Sequence, residues 1–490
     1  MASTVVDDEK TPLVPTAVSA PGKVLLAGGY LVLDRAYTGL VFGLNARIHA
    51  VIQPIPTGPG IVLNEISVKS PQFRHAVWNY GYRLAEREGG VKVTQLRVDA
   101  DLALDRNPFI ETTLSYVLSY ITSVASPIIE PSSITIYADN DYYSTPADLT
   151  TATTNPTTTS PRFYNFNVPL SEAHKTGLGS SAALVTSITA ALLSFYLPKS
   201  HFDLLPTSAL ASPSRRRLHN LAQAAHCAAQ GKVGSGFDVA SAVYGSSLYR
   251  RFSPSILSNH PEPGSPSFAP ALVGLVEERA ADPSSPAAIT WDTEILQDAV
   301  KVPRGLRLVL CDVAGGSQTP GMVKQVLAWR AAQPAEADAL WTELHAANQA
   351  LAAELTALAD AQPTGSLADD DGDEPAALRP LRAAFARIRA SLRAMTRQTG
   401  VPIEPAAQTR LIDACEAVPG VVGGVVPGAG GYDAIALLIR DREDVVRALR
   451  ELIAGWEFSG EEGVGGKVSM LGVREEMEGV RAEEARGYSL

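Results

Sequence analysis

Lys175-Thr176-Gly177-Leu178-Gly179-Ser180-Ser181-Ala182-Ala183 decides the fold. Two glycines let the backbone approach a ligand without a Cβ in the way. The segment opens a long apolar run, and the first turn of a helix carries unpaired N–H groups and a partial positive charge. Loop and turn together make a phosphate cradle. Ser180 and Ser181 add hydroxyls able to bond a phosphate or to ligate Mg²⁺, a hard cation that prefers oxygen. Upstream, Phe163, Asn165 and Asn167 alternate with Tyr164, Phe166 and Val168, which predicts a strand over residues 162–170.

The downstream run, 177–198, carries no charge and is about long enough to cross a bilayer. Thr186, Ser187, Thr189 and Ser194 recur within it, so the expectation is a helix buried in a soluble core. Two other nucleotide loops compete for the glycine segment. A Walker loop needs Gly-Lys-Ser/Thr, whereas Gly466-Lys467 is followed by Val468. A dinucleotide fingerprint tolerates Gly177-x-Gly179-x-x-Ala182, but the unit is not N-terminal and carries Ser-Ser where bulk is usual. A glycine turn that only caps a buried helix is the third alternative.

Three further segments carry candidate chemistry. Ser19-Ala20-Pro21-Gly22-Lys23-Val24 sets a lysine after a Pro-Gly turn among apolar residues, facing either a cleft or a strand edge. Gly231-Lys232-Val233-Gly234-Ser235-Gly236-Phe237-Asp238 puts a carboxylate at a helix start, as a catalytic group or as a cap. Pro427-Gly428-Ala429-Gly430-Gly431 is an anion nest or a tight hairpin loop. His219 and His226 share a helical face without a metal motif and read as ordinary helix histidines, His226 lying near the Asp238 turn. No GxSxG elbow occurs, which argues against a serine hydrolase.

Around these motifs the pattern predicts strands over 18–33 (interrupted by a turn at Pro21-Gly22), 40–52, 133–138, 306–313, 420–426 and 434–439. Helices are predicted over 107–123, 214–230, from Asp238 onward and from Thr319 to Ala332. Residues 148–161, rich in Thr, Asn and Pro, and the acidic stretch 362–374 read as surface loops. The Pro/Ser-rich stretch 253–286 sets the expected boundary near residue 255.

The chain has 490 residues, 46% of them hydrophobic and 19% charged, enough to bury a large core. A net charge of -11 argues against nucleic acid or an anionic membrane as partner, yet leaves room for a basic pocket that binds an anionic metabolite. Three cysteines, far apart, point to a reducing compartment, and the polar first ten residues show no secretory signal. The expected location is cytoplasmic.

The order Pro-Gly-Lys, Gly-Leu-Gly-Ser-Ser-Ala, Gly-Phe-Asp-Val-Ala, Pro-Gly-Ala-Gly-Gly resembles the GHMP kinases, named for galactokinase, homoserine, mevalonate and phosphomevalonate kinases. Gly231 to Gly245, Asp139-Asn140-Asp141-Tyr142-Tyr143-Ser144 and Gly316-Ser317-Gln318-Thr319-Pro320 look most like the fungal-type branch that phosphorylates phosphomevalonate. The resemblance implies an α/β (α+β) fold of two domains. An N-terminal ATP-binding domain of the ribosomal S5 domain 2-like type would span 1–255, a linker and insertion 256–300, and a C-terminal ferredoxin-like sandwich 301–490. It implies ATP and (R)-5-phosphomevalonate as substrates, Mg²⁺ as cofactor, and ADP and 5-diphosphomevalonate as products of a step toward isoprenoids and sterols.

Residue roles follow from the same resemblance. Lys23 and Asp238 match the family's catalytic lysine and aspartate. Lys175, Thr176, Gly177, Leu178, Gly179, Ser180, Ser181 and Ala182, with Asn140 nearby, would hold ATP. Lys23, Ser317, Thr319, Gly428 and Ala429 would approach the acceptor; independently of the resemblance, Lys175, Arg250, Arg251 and Lys324 flank motif segments and are candidate cationic partners for its phosphate and carboxylate. Ser181 would ligate Mg²⁺. Mevalonate kinases add a glutamate from the preceding helix; here that helix reads Ala225-His226-Cys227-Ala228-Ala229-Gln230, leaving Gln230 or water as the second ligand. Alternatives are another family member (mevalonate kinase or diphosphomevalonate decarboxylase), a non-catalytic sensor on the same fold, and a dinucleotide-dependent oxidoreductase.

Overall fold

The computed structural model describes residues 13–58, 64–96, 106–144, 162–204, 212–279, 289–314, 319–361, 376–458 and 466–488. The loops expected at 148–161 and 362–374, and Ser317, lie outside these residues.

Two sheets organise the chain. In the first, β1 (Thr16–Ala27) runs antiparallel to β2 (Gly39–Pro54), which pairs with β6 (Ser132–Ala138). Beyond β6 lie β3 (Glu65–Lys69), β4 (Val77–Leu84) and β5 (Val91–Gln95), with β3–β6 the parallel pair. The predicted turn at Pro21-Gly22 is instead a register shift within one continuous strand, and residues 29–33 form a 3-10 turn rather than a second strand. A Cβ on Gly22 would lie 2.9 Å from the Tyr142 hydroxyl and 3.0 Å from the Leu178 carbonyl. This glycine therefore serves close approach to the neighbouring loop, and the chain does not reverse there.

The predicted strand over 162–170 is also absent. The segment is irregular, held by the Phe166 amide donating to Gln72 O (2.9 Å) and the Arg74 amide to Val168 O (3.0 Å). Its alternation records aromatic anchoring: Phe166 stacks on Phe73 and Phe163 meets His49 edge-on, both with centroids 5.3 Å apart.

Helices α1 (Pro108–Val124), α2 (Ser180–Tyr196), α3 (Pro213–Gln230) and α4 (Phe237–Tyr244) cover the first sheet. Helix α2 packs on β1, β2, α1, α3 and α4, so it is apolar on nearly every side. Its hydroxyls turn inward: Thr189 donates to Val185 O (2.7 Å) and Ser187 to Leu184 O (3.0 Å). Among the described residues no helix is long and apolar enough to cross a membrane. Residues 256–300, expected as a linker, include α5 (Phe268–Glu277), which packs on α1 and α3. They also include β8 (Glu294–Leu296), which pairs with β7 (Ser247–Arg250).

The second sheet has the order β10 (Val421–Val425), β11 (Ala434–Arg440), β9 (Leu306–Val313), β12 (Val468–Met470), antiparallel throughout. In chain order this is second, third, first, fourth; read from the β12 edge it is fourth, first, third, second, the βαββαβ arrangement of a ferredoxin-like fold. Val309, Cys311 and Val313 face α9 (Ala406–Glu416) and α10 (Glu443–Ala454). Leu308 and Leu310 share the main core with α7 (Pro334–Asp360) and α8 (Arg379–Thr399). Beyond β12 the tail returns to the first sheet, where β13 (Glu475–Glu476) joins β2 and β14 (Arg481–Glu483) joins β1. All three cysteines are free and buried.

Candidate active site

The glycine loop is stitched to β1. The Lys23 amide donates to Leu178 O (2.9 Å) and its Nζ to Gly177 O (3.2 Å). On the other side, the Thr176 amide donates to Tyr142 O (3.1 Å) and its hydroxyl to Asp141 O (2.5 Å). Gly177 (φ 72°) and Gly179 (φ 80°) lie in the left-handed region. Gly179 caps α2 without a side-chain acceptor, and the first intrahelical bond is Ala183 N to Gly179 O. The amides of Ser180, Ser181 and Ala182 are thereby left without a partner inside the helix, at the end where an anion is favoured.

A Cβ on Gly179 would lie 2.8 Å from Lys23 Cε. Gly179→Ala should therefore cost about 1–2 kcal/mol for the left-handed backbone and also displace Lys23. A lowered melting temperature together with weakened nucleotide binding is expected; an unchanged nucleotide affinity would contradict the role given to this glycine.

The carboxylate arrives on the α3–α4 corner. Helix α3 ends at Gly231 (φ 65°), and α4 begins after Gly236 (φ 83°). A Cβ on Gly236 would lie within 2.8 Å of Phe252, Tyr249 and Gln223. Arg251 clamps the corner, donating to Leu33 O (2.7 Å), Val233 O (3.1 Å) and Gly234 O (2.7 Å). Gly236, not Asp238, is the cap, so Asp238 has no N-cap duty; its Oδ1 accepts from the Val239 amide (3.0 Å).

These parts meet in a cleft of about 960 Å³. One wall carries Lys23, Thr176, Gly177, Leu178, Gly179, His226, Gln230, Lys232 and Asp238. The other carries Asp312, Asp433, Gly428, Ala429 and, from α6 (Thr319–Ala332), Val323 and Lys324. The walls are tied where the Gly428 amide donates to Leu25 O (3.0 Å) and the Tyr30 hydroxyl to Ala429 O (2.7 Å). Burial lowers the Lys23 ammonium pKa, and the charge of Asp238 works against that shift. Activity that needs the ammonium is thus lost as pH rises through the lowered value. In Asp238→Asn the opposing charge is gone, so the alkaline limb of the residual pH–rate profile should move to lower pH; a limb that stays in place would contradict the coupling.

A second cavity of about 300 Å³ lies behind Ser180 and Ser181, lined by Phe73, Trp78, Arg106, Asn107, Phe109, Tyr143 and Lys175 among others. Ser181 lines this smaller cavity, its Oγ 3.1 Å from Nε2 of His226, which lines the cleft.

Several sequence candidates fall elsewhere. Arg250 is not at the cleft: its guanidinium donates to Glu294 (2.8 Å), to Arg35 O (2.8 Å) and to Ala36 O (3.2 Å), because β7 turns it toward the strand edge. Asn140 lines neither cavity; its Oδ1 accepts from the Tyr164 amide (2.7 Å) and braces the loop behind the smaller one. Thr319 begins α6. Tyr30, Lys232, His226 and Asp312 also line the cleft, although no motif in the sequence marks Tyr30, Lys232 or Asp312 for it. An aspartate near the end of strand β9, after the apolar run Leu308–Cys311, is the available signal for Asp312. Burial, and then the charge of Asp433, raise the Asp312 pKa.

A glycine loop capping a helix, with a lysine and an aspartate beside it on one wall of the crevice, has the composition of a small-molecule kinase centre. The GHMP kinases N terminal domain model matches residues 163–246, and the GHMP kinases C terminal model matches residues 375–457. The chain belongs to the GHMP kinase family, in its phosphomevalonate kinase branch. It is 50% identical to the phosphomevalonate kinase of Gibberella zeae over 477 residues, covering 96% of this chain and 98% of that one. It is 48% identical to that of Aspergillus fumigatus, covering 98% and 99%. The peroxisomal phosphomevalonate kinase of Arabidopsis thaliana is 34% identical, covering 85% and 88%. Among solved structures, Streptococcus pneumoniae phosphomevalonate kinase, in complex with phosphomevalonate and AMPPNP, shares the fold at a TM-score of 0.56 and 17% identity, covering 89% of this chain and 95% of that one.

Proposed function

We propose that this chain transfers the γ-phosphoryl group of ATP to the phosphate of (R)-5-phosphomevalonate, giving ADP and 5-diphosphomevalonate. The observation that carries the reading is the gathering of Lys23, Asp238 and the glycine loop Thr176–Gly179, which caps α2, at one cleft. High identity to phosphomevalonate kinases over nearly the full length supports the acceptor. The triphosphate lies along the loop 175–182, and the smaller aromatic cavity suits the base. Ser181 and Gln230 have the oxygen donors a nucleotide-borne Mg²⁺ takes. Among the described residues no group of three or more His, Cys, Asp or Glu could hold a metal ion. When bound, Mg²⁺ supplies neutralisation of phosphate charge.

Both substrates are polyanions, so repulsion is the obstacle and alignment is the remedy. The acceptor's second pKa is about 6, so its oxygen is mostly deprotonated at pH 7 and needs no base. It attacks the γ-phosphorus while the bond to the β-phosphate oxygen breaks. Lys23 neutralises the oxygens in transit, and Asp238 keeps the Lys23 ammonium charged and oriented. Lys324 and Lys232 face the cleft as partners for the acceptor's anionic groups, with Gly428 and Ala429 lining its far wall. Measured ADP release should be fast with phosphomevalonate and slow with mevalonate or diphosphomevalonate. Preference for either of the latter would overturn the acceptor assignment.

We propose a domain boundary near residue 300, with residues 475–488 returning to the first domain. The proposed compartment is the cytoplasm, supported by three unpaired cysteines. A fluorescent fusion gathered in peroxisomes, the compartment named for the Arabidopsis relative, would contradict it.

A further inference from the structure

We propose that Arg251 is a positioning residue that fixes the glycine corner ahead of α4 and so sets Asp238 in its place beside Lys23. The inference rests on the reading of Asp238 as the carboxylate that supports Lys23, and extends it to the side chain behind that carboxylate.

The corner runs from Gly231, which ends α3, to Gly236, which caps α4. Its backbone does little to hold its own shape. The Gly231 amide donates to Ala228 O (3.0 Å) and the Lys232 amide to Cys227 O (3.2 Å), which only closes the end of α3. Among the described residues no backbone amide reaches the carbonyls of Val233, Gly234 and Ser235. Two side chains take all three instead. Arg251 Nη2 donates to Val233 O (3.1 Å) and Gly234 O (2.7 Å), and the Tyr249 hydroxyl donates to Ser235 O (2.8 Å). Tyr249 and Arg251 are two positions apart, so β7 and its extension present them on one face. Both are buried.

The same guanidinium reaches the other half of the pair. Its Nη1 donates to Leu33 O (2.7 Å), at the end of the 3-10 turn that follows β1, the strand of Lys23. One planar group therefore joins the segment behind Lys23 to the corner ahead of Asp238. A lysine lacks the fixed fork that makes three such bonds at once. Burial lowers the Arg251 pKa, and among the described residues no carboxylate pairs with it. A buried cation without a counter-ion costs more than a neutral side chain would, so packing alone does not account for an arginine here.

The test is steady-state kinetics on Arg251→Lys, Arg251→Gln and Tyr249→Phe, each alone and combined with Asp238→Ala, and each checked for a cooperative melt. Arg251→Lys should lower kcat about 10- to 100-fold, the cost of a misplaced group, and leave KM for ATP within about twofold, because the nucleotide loop takes no bond from Arg251. Arg251→Gln, which keeps a donor but loses the fork, should lose at least as much. Tyr249→Phe removes only the Ser235 bond and should show a smaller fall of the same kind; it carries the test if neither Arg251 variant folds. In the Asp238→Ala background each substitution should cost less than about threefold, since no carboxylate is left to position. Equal losses in the two backgrounds would overturn the proposal. So would an unchanged kcat, or a change confined to KM for phosphomevalonate, which would make Arg251 a contact of the acceptor instead. Near-normal turnover of Asp238→Ala would overturn this proposal together with the role given to Asp238, whereas additive losses would overturn this one alone.

Discussion

Asp238→Ala is expected to lower turnover at least about 100-fold while the protein melts close to the wild-type temperature. The two halves of this expectation have separate grounds. Asp238 is the second residue of α4, whose cap is Gly236, and its one backbone bond is to the adjacent Val239 amide. A carboxylate in a first turn contributes about 0.3–1 kcal/mol, and this one is partly exposed, which favours the lower end. Stability therefore has little to lose. Turnover has much to lose, because Asp238 is the charge that opposes the desolvation of Lys23. Near-normal turnover, or a large drop in melting temperature with activity lost in proportion, would return Asp238 to a structural role.

The second large effect is at Lys23. Lys23→Met keeps the stem that packs beneath Gly179 and beside Phe237 but removes the charge. We expect kcat/KM for the acceptor to fall about 10²- to 10³-fold, the range for loss of one preorganised donor to a developing charge. Burial already disfavours the ammonium, so the neutral variant should be at least as stable as wild type. A variant that unfolds, or one with unchanged steady-state constants, would contradict the placement of this lysine.

Much of this centre was legible in the sequence because its parts are local. A glycine turn ahead of an uncharged helix, or a carboxylate after Gly-Ser-Gly, states its geometry within a few residues. The strand ending near Val313 and the helices at 107–123 and 214–230 were legible for the same reason: burial imposes a period. The failures are tertiary. The alternation at 162–170 comes from Phe163 and Phe166 docking on His49 and Phe73, which no period distinguishes from a strand. Arg250 and Arg251 are adjacent and chemically alike, yet the alternation of β7 sends the first to Glu294, while Arg251 just beyond it reaches the glycine corner. The return of residues 475–483 to the first sheet is a pairing across more than 400 residues and left no local trace. The contact of His226 with Ser181 spans 45 residues of chain and likewise has no local signal.

The most direct test of the central claim is a rapid-quench single turnover with enzyme in excess over γ-labelled ATP and (R)-5-phosphomevalonate present. Lys23, Asp238 and the mouth of α2 acting together predict that the label appears in 5-diphosphomevalonate at the rate ADP appears. Label released as inorganic phosphate, or no transfer from ATP at all, would contradict it.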